Sequence, residues 1–78
     1  MELNILDIQV GTEFTIIRIE SDIDSKHRLN SMGIHQNDNF IKKAGNGSGP
    51  VIIQNQTGNA TQIALGRDLA KTLIVKTE

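Results

Sequence analysis

The sequence predicts a small, mainly β protein: a barrel of about five short strands, with one short α-helix and a further helical turn near the C-terminus. Short runs rich in β-branched residues recur along the chain and are separated by glycine, asparagine and proline. Residues 22–32 form the one segment with the capping residues and apolar spacing of a helix. A chain of 78 residues buries one small core, so we expect residues 1–78 to form a single domain.

Composition excludes several classes of function. The sequence has no cysteine, which rules out disulfides, thiolate metal sites and a cysteine nucleophile. Eight basic residues against nine acidic ones give no overall attraction to nucleic acid or anionic lipid. No apolar run approaches the roughly 20 residues that span a bilayer, and the start of the chain lacks the features of a signal peptide. We therefore expect a cytoplasmic protein that does not insert into a membrane and whose partner is another protein.

The first segment, residues 3–11, has apolar side chains that are expected to pack across one end of the barrel. Leu6 and Val10 are its predicted core residues, and Gly11 turns the chain into the first long strand. That strand, residues 14–19, has apolar residues on both faces. Such a pattern predicts a β-bulge or strong barrel curvature.

The predicted helix at residues 22–32 ends at a defined place. If Gly33 is the C′ residue, Leu29 is C3 and Ile34 is C″, and these last two touch in a Schellman stop. Leu29 and Met32, three residues apart, form the predicted inner stripe of the helix. Three residues at the start of the helix can serve as N-cap: Asp22, Asp24 and Ser25.

The second half of the chain predicts further strands joined by turns. Asn37 is expected to have a positive φ, a conformation in which asparagine often replaces glycine. Residues 45–50 are rich in glycine and predict a mobile hairpin loop, and residues 57–59 predict a hairpin turn. The predicted strands are residues 39–44, 51–56, 60–65 and 73–75, with one helical turn at residues 66–71.

An ordered set of short motifs runs through nearly the whole chain. It consists of residues 6–11, Arg28-Leu29-x-x-Met32-Gly33-Ile34, Gly49-Pro50, Ile63-Ala64-Leu65, Ala70 and Leu73-Ile74-Val75. This set resembles the FeoA family, the small accessory proteins of bacterial ferrous-iron uptake, and the resemblance implies an SH3-like barrel. The chain departs from the family after the helix stop, where proline-glycine is common and this sequence has Gln36-Asn37.

The resemblance implies a cytoplasmic, non-enzymatic accessory protein that docks on FeoB, a membrane transporter of ferrous iron with its own GTPase domain. The contact would be made with the cytoplasmic GTPase domain or with the membrane portion. The same barrel occurs at the C-terminus of metal-dependent repressors of the diphtheria-toxin-repressor type, so a free-standing metal-responsive regulatory domain stays open. A barrel that binds single-stranded nucleic acid is a further alternative. It requires stacking aromatics and a basic groove, whereas the aromatic residues of this sequence are Phe14 and Phe40.

The predicted protein-binding residues lie near the helix stop and on the strand that follows it. Arg28 and His35 are the surface candidates among them, while the spacing of Met32 and Ile34 also fits core positions. The full set is Arg28, Met32, Ile34, His35 and Lys42.

No catalytic residue, cofactor or resident metal is predicted. The glycine-rich loop lacks the Lys-Ser/Thr ending of a phosphate-binding loop, and no serine or threonine has a suggested base. Two weaker hypotheses concern charged side chains. A divalent ion could be held near the helix start by Asp22, Asp24 and His27, with His35 as a further ligand. Acids at the start of a helix are, however, ordinarily N-caps. A phosphate of a bound nucleotide could be reached by Arg18, Arg28 or Arg67. Most surface arginines, however, are simply solvated.

Overall fold

The computed structural model of the chain describes residues 1–56 and 60–77. Its elements, in order, are β1 (Leu3–Asn4), a 3-10 turn (Ile5–Asp7), β2 (Glu13–Ile19), α1 (Ile23–Ser31), β3 (Asn39–Ala44), β4 (Val51–Asn55), β5 (Gln62–Leu65), α2 (Arg67–Ala70) and β6 (Leu73–Thr77). The predicted fold, a small, mainly β SH3-like barrel, is confirmed. The strand that the sequence did not predict is β1, which is too short to show an alternating pattern. The predicted hairpin turn at residues 57–59 lies outside the described residues.

Within the described residues, the strands form one antiparallel sheet in the order β1-β6-β2-β3-β4-β5. Strand β2 lies between β6 and β3, so the first long strand pairs with the last strand of the chain. Its register with β6 shifts between Ile16 and Arg18, which makes Ile17 the extra residue of a β-bulge. The predicted bulge is therefore confirmed, and it explains why both faces of β2 carry apolar residues.

The buried core draws on every long strand and on both ends of the chain. Phe14 and Phe40, from the paired strands β2 and β3, stack with their ring centroids 6.1 Å apart. The other buried apolar residues are Ile5, Ile8, Ile16, Leu29, Ile34, Val51, Ile53, Leu65, Ala70, Leu73 and Val75.

The core residues of the first segment differ from the prediction. Leu6 is half-buried against the core, but Val10 is 43% exposed, so its predicted core position is wrong. Ile5 and Ile8 are buried instead. The reason is the 3-10 turn, which has about three residues per turn and therefore places residues three apart on one side.

The ends of α1 follow the capping rules. Asp22 is the N-cap, because its Oδ1 accepts a hydrogen bond of 2.8 Å from the backbone N–H of Ser25. This hydrogen bond to the carboxylate lowers the pKa of Asp22 below its ordinary value. The N-cap, which the sequence left open among three residues, is thereby assigned.

The predicted Schellman stop is confirmed. Gly33 has a φ of 90°, and its N–H donates to the carbonyl of Asn30 at 3.1 Å, while the N–H of Ile34 donates to the carbonyl of Leu29 at 3.0 Å. Leu29 and Ile34 are both fully buried. Met32, the C-cap, is 38% exposed, so its predicted place in the inner stripe is wrong. The chain turns inward directly after it, and Ile34 enters the core in its place.

Replacing Gly33 by alanine should lower the free energy of unfolding by about 1 kcal/mol, because a Cβ disfavours the positive φ that the stop requires. Gly33→Asn is the matched control, since asparagine tolerates this conformation better and should lose clearly less. The measurement is equilibrium urea unfolding of both variants. A Gly33→Asn loss as large as that of Gly33→Ala would contradict the strain argument.

Candidate protein-docking surface

The structure divides the predicted protein-binding residues into two groups. Arg28, Met32 and His35 are exposed and lie at the end of α1 and just after it; we call them the helix-stop surface. Ile34 and Lys42 are fully buried. The expectation that these two side chains face a partner is therefore corrected, because Ile34 completes the helix stop and Lys42 points into the barrel.

The turn after the helix stop is held firmly against β2. Asn37 has the predicted positive φ, 74°, and its N–H donates to the carbonyl of Ile16 at 2.6 Å. The backbone N–H of His35 donates to Oδ2 of Asp38 at 3.1 Å. The side-chain amide of Gln36 donates to the carbonyl of Ile17 at 2.9 Å. Because of these bonds, His35 and Gln36 have fixed positions beside α1.

An open depression of about 390 Å³ lies next to the helix-stop surface. It is formed by α1, by the end of β2 and by the turn after the helix, and we call it the α1–β2 depression. Its lining residues are Arg18, Ile19, Lys26, Asn30, His35 and Gln36. Of this set, the sequence predicted His35 as a protein-binding residue and Arg18 as a weaker candidate for contact with a phosphate. A signal for two others existed, because Lys26 and Asn30 are four residues apart and so share one face of the helix.

Arg18, at the edge of this depression, is held by two carboxylates. Its Nη1 and Nη2 donate to Glu2 at 3.1 and 2.7 Å, and its Nε donates to Glu20 at 3.0 Å. The hydrogen bonds to both carboxylates raise the pKa of the Arg18 guanidinium, and the same contact lowers the pKa of Glu2. Arg18 therefore fastens the start of the chain to β2, and the two carboxylates more than neutralise its charge.

Lys42 is a buried cation held by backbone carbonyls. Its Nζ donates to the carbonyl oxygen of Ile5 at 3.1 Å and to that of Ile8 at 2.7 Å, at the two ends of the 3-10 turn. Burial lowers the pKa of Lys42, and the charge of Arg67 lowers it further, whereas Asp7 acts in the opposite direction. Through these contacts, Lys42 ties the first segment of the chain to β3.

The weaker site hypotheses find little support in the structure. Arg67 is engaged with the glycine-rich loop, since its Nη1 donates to the carbonyls of Gly45 and Gly49 at 2.8 and 3.2 Å. Arg18 is paired as described, which leaves Arg28 as the uncommitted candidate within the described residues. Among those residues, no group of three or more histidine and acidic side chains is placed to hold a metal ion. The suggested cluster at the start of α1 is therefore not assembled.

No helix within residues 1–56 and 60–77 has the length and apolar character needed to cross a bilayer. The fold itself is shared with several solved structures. The crystal structure of an iron uptake regulatory protein (FeoA) superposes with a TM-score of 0.87 at 20% sequence identity, covering 100% of both chains. The solution structure of a FeoA-like protein from Clostridium acetobutylicum gives a TM-score of 0.79 at 14% identity, over 97% of this chain and 86% of that one.

A larger protein contains the same fold as one part. A manganese-dependent transcriptional repressor, in complex with manganese, matches with a TM-score of 0.90 at 18% identity, over 99% of this chain and 37% of the repressor. At these identities the structural similarities establish the fold alone. No curated protein sequence gave a match. The sequence model of the FeoA domain matches residues 3–77, nearly the whole chain, and the chain therefore belongs to the FeoA domain family.

Proposed function

We propose that this chain is a non-enzymatic accessory protein of bacterial ferrous-iron uptake, which docks in the cytoplasm on the cytoplasmic part of a FeoB-type transporter. The observation that carries the proposal is the exposed helix-stop surface on a member of the FeoA domain family. The protein contributes a rigid surface in this proposal and carries out no bond-making chemistry of its own.

The packing of α1 supports a docking role for this helix. Leu29 is its buried residue, and the Schellman stop fixes its C-terminal end, while most of its remaining surface faces outward. Large apolar side chains lie at both of its ends: Ile23 is 68% exposed and Met32 is 38% exposed. Isolated helices of this length are marginal in water, so α1 depends on Leu29 and its caps for its conformation. A helix held by so few contacts and presenting apolar ends is suited to packing against a partner.

The aromatic residues give the nucleic-acid alternative no support. Phe14 and Phe40 are both buried and stack on each other inside the barrel, where no base could reach them. A single-strand binding surface needs exposed aromatic platforms along a basic groove. Docking on a protein therefore agrees better with the side chains that the described residues expose.

Titration of isotope-labelled protein with the cytoplasmic GTPase domain of the cognate transporter tests the proposal. We expect backbone amide shifts concentrated around residues 28–36, with and without guanine nucleotide. Arg28→Glu should weaken the interaction about tenfold, because the guanidinium is exposed and lacks an internal ion pair within the described residues. Lys76→Glu makes the same change in net charge at an exposed position on β6 and should leave binding nearly unchanged.

Two results would contradict this proposal. One is the absence of shifts both with the GTPase domain and with the complete transporter in detergent. The other is binding that Arg28→Glu and Lys76→Glu weaken equally, since this would show a response to net charge without a localised surface.

A further inference from the structure

We propose that the α1–β2 depression takes an acidic segment of the docking partner, whose carboxylates are bound by Lys26 and His35. This inference rests on the proposed function and adds the chemistry of the partner. It commits to one occupant, a carboxylate-bearing stretch of protein.

Most acidic groups of this region are already engaged internally. Glu2 and Glu20 bind Arg18, Asp22 caps α1, and Asp38 accepts from the turn. Of the acidic residues between positions 20 and 38, Asp24 is the one whose carboxylate forms no such bond within the described residues. It lies in the first turn of α1, where the helix dipole favours a negative charge.

The basic side chains of the same region remain uncommitted. Within the described residues, no hydrogen bond or ion pair is formed by the side chains of Lys26, His27, Arg28 or His35. All four residues are exposed. Carboxylates outnumber cations in this region, but the unused hydrogen-bonding capacity of these four side chains is mainly that of donors, and two of the four are cations. A group that satisfies it must be an acceptor, and a carboxylate is the strongest acceptor that a protein partner offers.

The uncommitted donors also converge on the depression from two directions. Lys26 and Asn30 project from successive turns of α1 into the depression, and His35 and Gln36 approach it from the turn that is fastened to β2. Donors from two separate elements thus surround one concave surface, and Ile19 adds an apolar wall. A carboxylate entering this space can meet the ammonium of Lys26 on one side and the imidazole of His35 on the other.

The lining favours a peptide over a nucleotide or a single strand of nucleic acid. Neither phenylalanine lines the depression, and the sequence has neither tyrosine nor tryptophan, so the large aromatic platforms of single-strand binding surfaces are missing from the lining. The glycine-rich loop at residues 45–50 does not line the depression, and two of its carbonyls accept hydrogen bonds from Arg67. A carboxylate group from a protein is therefore the occupant that the lining fits best.

The test compares charge reversal at two lysines. Lys26→Glu places a carboxylate in the depression and should weaken binding of the transporter's GTPase domain about tenfold, because like charges face each other across the contact. Lys43→Glu is the matched control: Lys43 is exposed on β3, beyond the residues that pair with the start of β2, whereas the depression is at the end of β2. It should change binding less than twofold. Lys26→Glu should also reduce the dependence of binding on salt concentration, which Lys43→Glu should not.

A second titration separates failure of this inference from failure of the proposed function. A short glutamate–serine peptide, added to the labelled protein, should shift the amides of Lys26, Asn30 and Gln36, while its glutamine–serine counterpart should not. If the GTPase domain binds but the glutamate peptide causes no such shifts, the inference is overturned and the proposed function stands. Equal shifts with both peptides, or stronger shifts with a single-stranded oligonucleotide, would also overturn it. If neither the GTPase domain nor the complete transporter binds while the glutamate peptide does, the depression is confirmed as an acidic-peptide site and the proposed function fails.

Discussion

Gly45→Ala is expected to lower the free energy of unfolding by about 3 kcal/mol, the largest loss expected for a glycine-to-alanine change within the described residues. Gly45 has a φ of 114°, which alanine adopts only with strain. The added Cβ would also lie 2.8 Å from the Cα of Val51 and 3.1 Å from the carbonyl oxygen of Pro50. Both contacts are with backbone atoms, so no rotation of a side chain relieves them, and the strand β4 must shift.

Gly47→Ala in the same loop is the control for this prediction. Gly47 also has a positive φ, 82°, but a Cβ there meets nothing within 4 Å. It should therefore show only the conformational cost, about 1 kcal/mol. Urea unfolding of the two variants measures the difference directly. Equal losses would mean that the loop moves away from Val51 at little cost, which would contradict the steric argument.

Lys42→Met is expected to lower the free energy of unfolding by about 2 kcal/mol. Methionine matches lysine in length but cannot donate, so the carbonyls of Ile5 and Ile8 lose their side-chain donor in a buried place. Relief of the buried charge offsets part of this loss. Lys43→Met is the matched control, since Lys43 is the exposed neighbour and its replacement should be nearly neutral.

The same lysine makes stability depend on pH on the alkaline side. Because the pKa of Lys42 is lowered in the folded protein, the unfolded chain binds more protons over the interval between the folded and the ordinary lysine value. Stability should therefore rise with pH through that interval, and the gain should be lost again as the pH falls. Lys42→Met should abolish this rise, whereas Lys43→Met should retain it. A rise that persists in Lys42→Met would assign it to another group.

The parts of the fold that the sequence predicted depend on neighbouring residues. The helix stop needs only Leu29, Gly33 and Ile34 at fixed spacing, and all three have the predicted roles. Strand β1 was not predicted, because its pairing with β6 brings together the two ends of the chain. Met32 was placed in the core by its spacing from Leu29, a rule that holds for a helix that continues but not for the residue that caps its C-terminus.

The candidate site likewise combines features that follow from neighbouring residues with contacts between distant residues. Arg28 and His35 were placed at the surface by their type and position, and they are exposed. Lys42 was predicted to bind a partner, although alternation from Phe40 places it on the inner face of β3. What makes its burial possible is a pair of carbonyls from the 3-10 turn, and no local pattern reveals that contact. The α1–β2 depression likewise depends on bonds between the turn at residues 35–38 and β2.

The position of β6 in the sheet has a consequence for how this chain folds. Strand β6 ends at Thr77, yet it is the strand that pairs with both β1 and β2, with Leu3 opposite Val75. Such contacts between distant residues close large loops and slow the folding of small β domains. During synthesis, β1 and β2 must wait for β6 to leave the ribosome, and until then their hydrogen-bonding edges are open to other chains. The barrel therefore closes only after β6 has been synthesised, because β1 and β2 both pair with that strand.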